Sequence, residues 1–277
     1  SNTGQIDSSL INYSKMLNYA FSNTIDSINF LHFSPNHNLP ESILLQFPTL
    51  EKSNLIDETK ELIKDIYGYR FNNIEFSFLT NNYIDSFSNF ENTFCPDFYL
   101  ISIKKTTKII DFFSLIFIKN TKQNTLFIPE GISAKITNIL VPIDFSESSY
   151  HSLEMALRFS KKHNAAIEAL YSYEIPSSYH MTGKSYTEFA TLIKKEIKEK
   201  FSSIEKKLNI SIKLSIQINN QNTISDKVSS YAKENNKDFI VIGHNQNFLG
   251  KITEELLGNP ITIPFFIVKN QNMYVEV

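Results

Sequence analysis

Glycine is scarce in this chain: 7 of its 277 residues, beside 9 prolines, 1 cysteine and no tryptophan. The shortages exclude several classes of protein. A single cysteine, Cys95, forbids an internal disulfide and fits a reducing compartment, where a buried and inert thiol is its expected role. No apolar run approaches the roughly 20 residues of a membrane-spanning helix, and the opening residues are too polar for a secretory signal, so a cytoplasmic protein is expected. Charge is not in excess either. The 27 Lys and Arg against 29 Asp and Glu leave a formal net charge of -2, and the basic residues are scattered, so neither nucleic acid nor a membrane surface is implied as a partner. No His/Cys cluster has metal-ligand spacing, and no Ser or Cys sits in a recognisable nucleophile setting.

What is present is a chain that is 42% hydrophobic and 20% charged, long enough for about two domains with a sizeable core. The second half alternates strand-like and helix-like segments. The apolar run Ile139 to Ile143 is closed by Asp144 and Ser146, and Leu153, Ala156, Leu157 and Ser160 then share one helical face. A strand follows at 165–173, then a helix whose apolar stripe is Phe189, Ile193, Ile197, Phe201, Ile204 and Leu208. Ile212 to Ile218 alternate as a strand, Thr223 and Asp226 form a capping-box pattern ahead of another helix, "DFIVIG" is an apolar strand, and "IPFFIVK" supplies the last one. Such alternation predicts a mostly parallel sheet covered on both faces.

The first half keeps the same order. Helical spacing of Leu10, Tyr13, Leu17 and Ala20 leads to a strand in "TIDSINFLHF", a helix in "DETKELIKDIYGY", an alternating strand through Ile74, Phe76 and Phe78, the strand "PDFYLISI", the helix-like "TTKIIDFFSLIFI" and the strand "NTLFIPE". The intervals agree too: Asp97 to Leu126 against Asp238 to Phe265, and Leu31 to Ile74 against Leu170 to Ile212, match within two residues. Independent domains have no reason to keep such spacings, so the chain reads as a duplicated α/β unit with its boundary near Pro129 and Gly131: repeats at 1–133 and 134–277, the first degenerate.

"ILVPIDFSESSYHSLEMAL", followed in order by "DFIVIG", "FLGKITEELL" and "IPFFIV", resembles the universal stress protein family; "INFLHF" at 28–33 is the best local match in the first half. The resemblance implies a tandem member with two doubly wound parallel sheets of the adenine nucleotide alpha-hydrolase-like, or universal stress protein, fold. It also implies a first strand central in each sheet and ATP, where bound, at the carboxyl ends of the strands. Members are generally not enzymes with an assigned reaction. The family often pairs the last strands of two units edge to edge, so a homodimer or an intramolecular pseudo-dimer is expected.

The resemblance also gives three clustered glycines, Gly243, Gly250 and Gly258, their meaning. Nucleotide-binding members carry Gly-x-x-Gly, nine residues, then Gly-Ser or Gly-Thr at a helix start, so that backbone N–H groups wrap the phosphates. Here Gly243 fits the first position, Gln246 stands at the second, and Gly250 takes the last, with Lys251 in place of the hydroxyl residue. The loop is six residues short. Gly258 cannot close it, because Pro260 and the nearby Phe265 leave no room for a helix, and "GHNQNFLGK" fails as a Walker loop because six residues separate its glycines and Ile252 stands where Ser or Thr is required. In the first half "LISIKKTTK", after the counterpart of the family's fourth strand, has no glycine.

Pro142 and Asp144 match the family's first-strand positions near the nucleoside, and Ser172 stands where the family has an apolar residue against the base. Asp144 reads equally well as a helix-capping carboxylate, and Lys251 as a phosphate contact or a solvated lysine. His244 reads as a surface or hydrogen-bonded histidine. The candidate cofactor-binding set is therefore Pro142, Asp144, Ser172, Gly243, Gly250 and Lys251, with no catalytic or metal residues. The expectation is a non-enzymatic, stress-associated binding module whose nucleotide site in the second repeat is vestigial or altered. An ATP-binding switch or weak ATPase, using Lys251 and Asn245, and a binder of another small ligand between the repeats are the alternatives.

One gap stands out. Counting back from the first half's strand near residue 25 places the counterpart of Ile139 to Asp144 at residue zero. Something is expected to fill this central position: a strand upstream of Ser1 is favoured, and the alternating tail Asn272 to Val277 or another segment is the alternative; direct pairing of the flanking strands would exclude them all.

Overall fold

The computed structural model describes residues 8–21, 27–33, 52–67, 74–79, 83–103, 121–218, 223–244 and 262–269. The first half contributes α1 (Ser8–Ala20), β1 (Ile28–Phe33), α2 (Lys52–Tyr67), β2 (Ile74–Leu79), α3 (Tyr83–Phe94), β3 (Phe98–Ile103) and β4 (Asn124–Pro129). In the second half come β5 (Asn138–Pro142), α4 (Glu147–His163), β6 (Ala166–Tyr173), a 3-10 turn at Ser177–Thr182, α5 (Tyr186–Leu208), β7 (Lys213–Ile218), α6 (Ile224–Glu234), β8 (Phe239–Gly243) and β9 (Phe265–Val268). The helix-like stretch in 104–120, the glycine loop and the tail at 272–277 lie outside the described residues. Among the described residues no helix is long and apolar enough to cross a membrane.

The helices of the second half begin and end where local chemistry requires. Ser146 caps α4 by accepting from the Ser149 amide, Ser185 and Glu188 form a reciprocal capping box on α5, and Thr223 caps α6 through the Asp226 amide. Asn164 and Asn209 end α4 and α5 in the left-handed region that asparagine tolerates. The stripe expected on α5 is buried at Ile197 and Phe201 and half-buried at Phe189, Ile193, Ile204 and Leu208.

Two features of the first half differ from the sequence reading. Helix α3 was not anticipated, because "YIDSFSNFENTF" is rich in Ser and Asn; its buried face rests on Phe87 and Phe90. Cys95, expected to be buried, is exposed. It follows the last turn of α3 with φ 44, its N–H bonding the Glu91 carbonyl at 3.0 Å, and this position turns the side chain outward.

The main sheet has seven strands in the order β3-β4-β9-β8-β5-β6-β7. Its second-repeat part reads third, second, first, fourth, fifth, with β5 central and all neighbours parallel. Strand alternation sends side chains to two layers. Leu140, Leu170, Ile240 and Phe265 pack against Val228 and Tyr231 of α6, while Ile139, Val141, Phe239 and Phe266 pack against Leu153, Ala156 and Phe159 of α4. The second layer also takes Tyr13 and Leu17 of α1, so the two halves share one core. Tyr13 stacks on Phe239 at 6.5 Å, and its hydroxyl accepts from the Lys135 amide at 3.3 Å; Ser9 Oγ donates to the Ile132 carbonyl at 2.8 Å. Helix α1 thereby fixes the connection between the halves.

The last strands of the halves pair antiparallel, Phe127 opposite Phe265 with rings stacked at 4.9 Å. Edge-to-edge joining of the last strands is the expected pseudo-dimeric contact. The remaining first-half strands, β1 and β2, form a separate parallel pair, and no described strand connects β1 to β3. Direct pairing, which would have refuted the gap read from the sequence, is not found among the described residues.

A buried ion pair ties the second repeat together away from any loop. Glu168 on β6 and Lys237 before β8, each 5% exposed, meet at 2.8 Å; Tyr231 and Ser215 hydroxyls donate to Glu168 Oε1 at 2.5 Å, and Lys213 Nζ lies 3.0 Å away. Burial pushes the Glu168 carboxyl up, but hydrogen bonds from Lys237, Ser215, Tyr231 and Lys213 outweigh it and hold it at about 2.

Three measurements check this architecture. Phe127→Ala removes a buried ring from the inter-repeat contact and should cost about 3–5 kcal/mol in denaturant unfolding. Lys237→Ala leaves Glu168 charged and buried, for a loss of about 3–5 kcal/mol, whereas Glu168→Gln with Lys237→Met should recover most of it. Because the Glu168 carboxyl titrates below its unfolded value, its stabilisation is complete above the ordinary carboxylate range and fades as pH falls toward about 2. Glu168→Gln should flatten that part of the stability–pH curve.

Candidate functional site

The carboxyl ends of β5, β6 and β8 converge on one edge of the sheet, which is where a doubly wound sheet places ligands. Parallel registers carry Pro142 beside Leu170 and Gly243 beside Val268, with Ser172 two residues beyond Leu170 on β6. Thus Pro142, Asp144, Ser172 and Gly243 lie along the same edge. Gly250 and Lys251 lie outside the described residues, as do Asn245, Gln246 and Gly258.

The turn from β5 into α4 is closed by its own polar groups. Asp144 Oδ1 accepts from the Ser146 amide at 2.9 Å and from Ser146 Oγ at 2.5 Å, and Ser146 Oγ in turn caps the helix. The helix cap is therefore Ser146, and Asp144 braces it. Between them Phe145 sits at φ 64, a left-handed conformation uncommon for a bulky residue, with its ring 5.0 Å from that of Tyr171. The strained residue is held by the Asp144–Ser146 hydrogen bonds on one side and ring packing on the other.

Gly243 has an equally local explanation. A Cβ at this position would lie 2.1 Å from the Ser148 carbonyl oxygen and 2.4 Å from the Ser148 carbonyl carbon. Only glycine lets the end of β8 approach the first turn of α4 so closely. The glycine thus draws a helix N-terminus, with its outward N–H groups, to the edge of the sheet. The family resemblance implied a phosphate-loop role for Gly243; nothing in the sequence indicated the Ser148 contact, which depends on the crossing of β8 and α4.

Ser172 is half-buried, and its Oγ is shielded from solvent with no hydrogen-bond partner among the described residues. His244, half-buried, donates its backbone N–H to the Val268 carbonyl at 3.0 Å. Among the described residues no group of His, Cys, Asp or Glu could hold a metal ion. The edge therefore offers a helix N-terminus, one shielded hydroxyl and a carboxylate with one oxygen committed. It can bind polar or anionic groups.

Fold and edge together define a doubly wound α/β nucleotide-binding-like protein built as a tandem repeat. Residues 135–261 match the family model described as the universal stress protein family. A universal stress protein from Archaeoglobus fulgidus DSM 4304 superposes with TM-score 0.59 at 14% identity, over 95% of this chain and 92% of that one. A putative universal stress protein from Pseudomonas aeruginosa UCBPP-PA14 does so with TM-score 0.60 at 12% identity, over 94% and 88%. At these identities the likeness shows the fold, and it spans both halves. A search of the curated proteins finds no match.

Gly243→Ala discriminates the packing role from a phosphate-loop role. Overpacking against the Ser148 backbone should cost about 1–3 kcal/mol in thermal or denaturant unfolding without any ligand. A glycine kept only for a ligand's approach would leave the stability of the free protein unchanged.

Proposed function

We propose that this chain is a non-enzymatic, stress-associated binding module, composed of repeats 1–133 and 134–277 and acting in the cytoplasm, with an altered nucleotide site in the second repeat. The observation that carries the reading is that two residues matching the family's nucleoside and phosphate positions serve the framework. Asp144 Oδ1 is bound by Ser146, and Gly243 is packed on Ser148. The shortened glycine spacing between Gly243 and Gly250 supports it, since several N–H donors would be lost and each donor to a charged acceptor contributes about 1.5–3 kcal/mol. A micromolar site corresponds to about 8.2 kcal/mol and does not survive the loss of three such donors. ATP is accordingly not a resident cofactor in this reading.

Calorimetry with ATP and magnesium should show no binding tighter than a dissociation constant of about 1 mM, and phosphate release should stay at background. A micromolar, magnesium-dependent site would overturn the proposal in favour of an ATP-binding switch. A thermal-shift screen of other metabolites identifies the ligand class, because a ligand at a hundred times its dissociation constant adds about 2.7 kcal/mol of stability.

A further inference from the structure

The end of α1, in the first repeat, rests on the last turns of α4 in the second. The Arg158 guanidinium stands 4.9 Å from the centre of the Phe21 ring, and Phe159 meets the same ring at a near right angle with centroids 6.3 Å apart. One turn further along α4, the His163 ring lies 5.5 Å from that of Tyr19. Of these side chains His163 is the one whose charge changes near neutral pH.

His163 is half-buried, and its Nε2 is shielded from solvent with no hydrogen-bond partner among the described residues. A neutral imidazole tolerates that position, because the bare nitrogen remains an acceptor. An imidazolium would carry an N–H there with no group to receive it. Burial lowers the ring's pKa from its ordinary 6.5, and a hydrogen bond with the Met16 backbone opposes the shift without cancelling it.

The surrounding charges offer the cation no partner. Helix α1 has no acidic residue, and the ammonium of its Lys15 is bonded to the Ile66 carbonyl of α2. The last turns of α4 carry Arg158, Lys161 and Lys162, all of the same sign as the new charge. The acids of α4, Glu147 and Glu154, lie further back and bracket His151 at 3.8 and 2.9 Å. Asp97, which precedes Phe98 of β3, is exposed. The negative end of α4 favours a cation, yet none of its carbonyls accepts from Nε2.

We propose that the contact between α1 and α4 is an acid-sensitive latch between the repeats, opened when protonation of His163 drives its ring from beside Tyr19. Helix α1 places Tyr13 and Leu17 in the shared core and ties down the connection at Ile132 and Lys135, so its release loosens the first repeat while β4 and β9 stay paired. A freed ring binds its proton more tightly than a latched one. The latch is therefore at full strength above pH 6.5 and weakens as the pH falls below it. Between pH 7.5 and 5.5 a group with an ordinary value of 6.5 favours the open form by at most about tenfold. The carboxyls of Glu168 and Asp238, both held below their ordinary range, stay charged throughout this window.

Hydrogen exchange of the 277-residue chain, referred to the intrinsic exchange rate at each pH, tests the latch. Protection of residues 8–20 should fall about threefold to tenfold from pH 7.5 to 5.5, with that of residues 239–243 unchanged. His163→Gln, which cannot take up the proton, should abolish the fall. Titration of the His163 ring by NMR in the unaltered chain should give a midpoint below 6.5, and this measurement decides even where the substitution unfolds the protein. Four results would overturn the proposal: a midpoint at or above 6.5, equal protection of residues 8–20 at the two pH values, a fall shared by residues 239–243, or the same fall in the His163→Gln chain.

Discussion

The antiparallel contact between β4 and β9 is the constraint from which the rest of the molecule follows. A parallel sheet ends in a strand whose N–H and C=O groups need a partner, and each repeat ends in one such strand. Joining them removes both edges and stacks Phe127 on Phe265 between the second and third strands of a seven-stranded sheet. With the sheets fused, α1 is brought against α4, Tyr13 reaches Phe239, and the connecting residues 132–135 are tied down by Ser9 and Tyr13. The first repeat keeps its place because its last two strands and first helix belong to the second repeat's core.

Within the second repeat, buried polar groups determine where elements may sit. Asp238 binds the amides at the start of β5, and Glu168, with Lys237, Tyr231, Ser215 and Lys213, links β6, β7 and the entry to β8. A one-residue slip of any of these strands would leave a carboxylate or ammonium buried without its partner, an error costing several kcal/mol. At the opposite end Gly243 fixes the approach of α4, and the Asp144–Ser146 turn holds Phe145 in a left-handed conformation. The candidate ligand edge is thus rigid where it is described, and its framework groups are the residues whose sequence positions suggested ligand contacts.

How much of this was readable beforehand depends on the range of the signal. Hydrophobic runs such as Ile139 to Ile143 and cap residues such as Thr223 act over a few positions, so strands, helices and their order followed from the sequence, as did the duplication from matched intervals. Helix α3 escaped notice because Ser and Asn dilute its periodicity and its helicity rests on packing of Phe87 and Phe90 against β3. Cys95 was assigned to the core from residue type, but its left-handed position after α3 faces it outward.

By itself the sequence determined the alternation of strands and helices and hence the class of fold, because these follow from period and spacing; the central place of β5 was implied by the family resemblance and is found in the sheet order. Only the tertiary structure decided what Gly243, Asp144 and Glu168 do. A glycine forced by a helix carbonyl 2.1 Å from where its Cβ would stand looks in sequence like a glycine kept for phosphate. A carboxylate bracing a helix cap looks like one awaiting a ribose. The difference lies in contacts between segments distant in the chain: Gly243 meets Ser148 and Glu168 meets Lys237 only once the sheet has brought their strands and helices together.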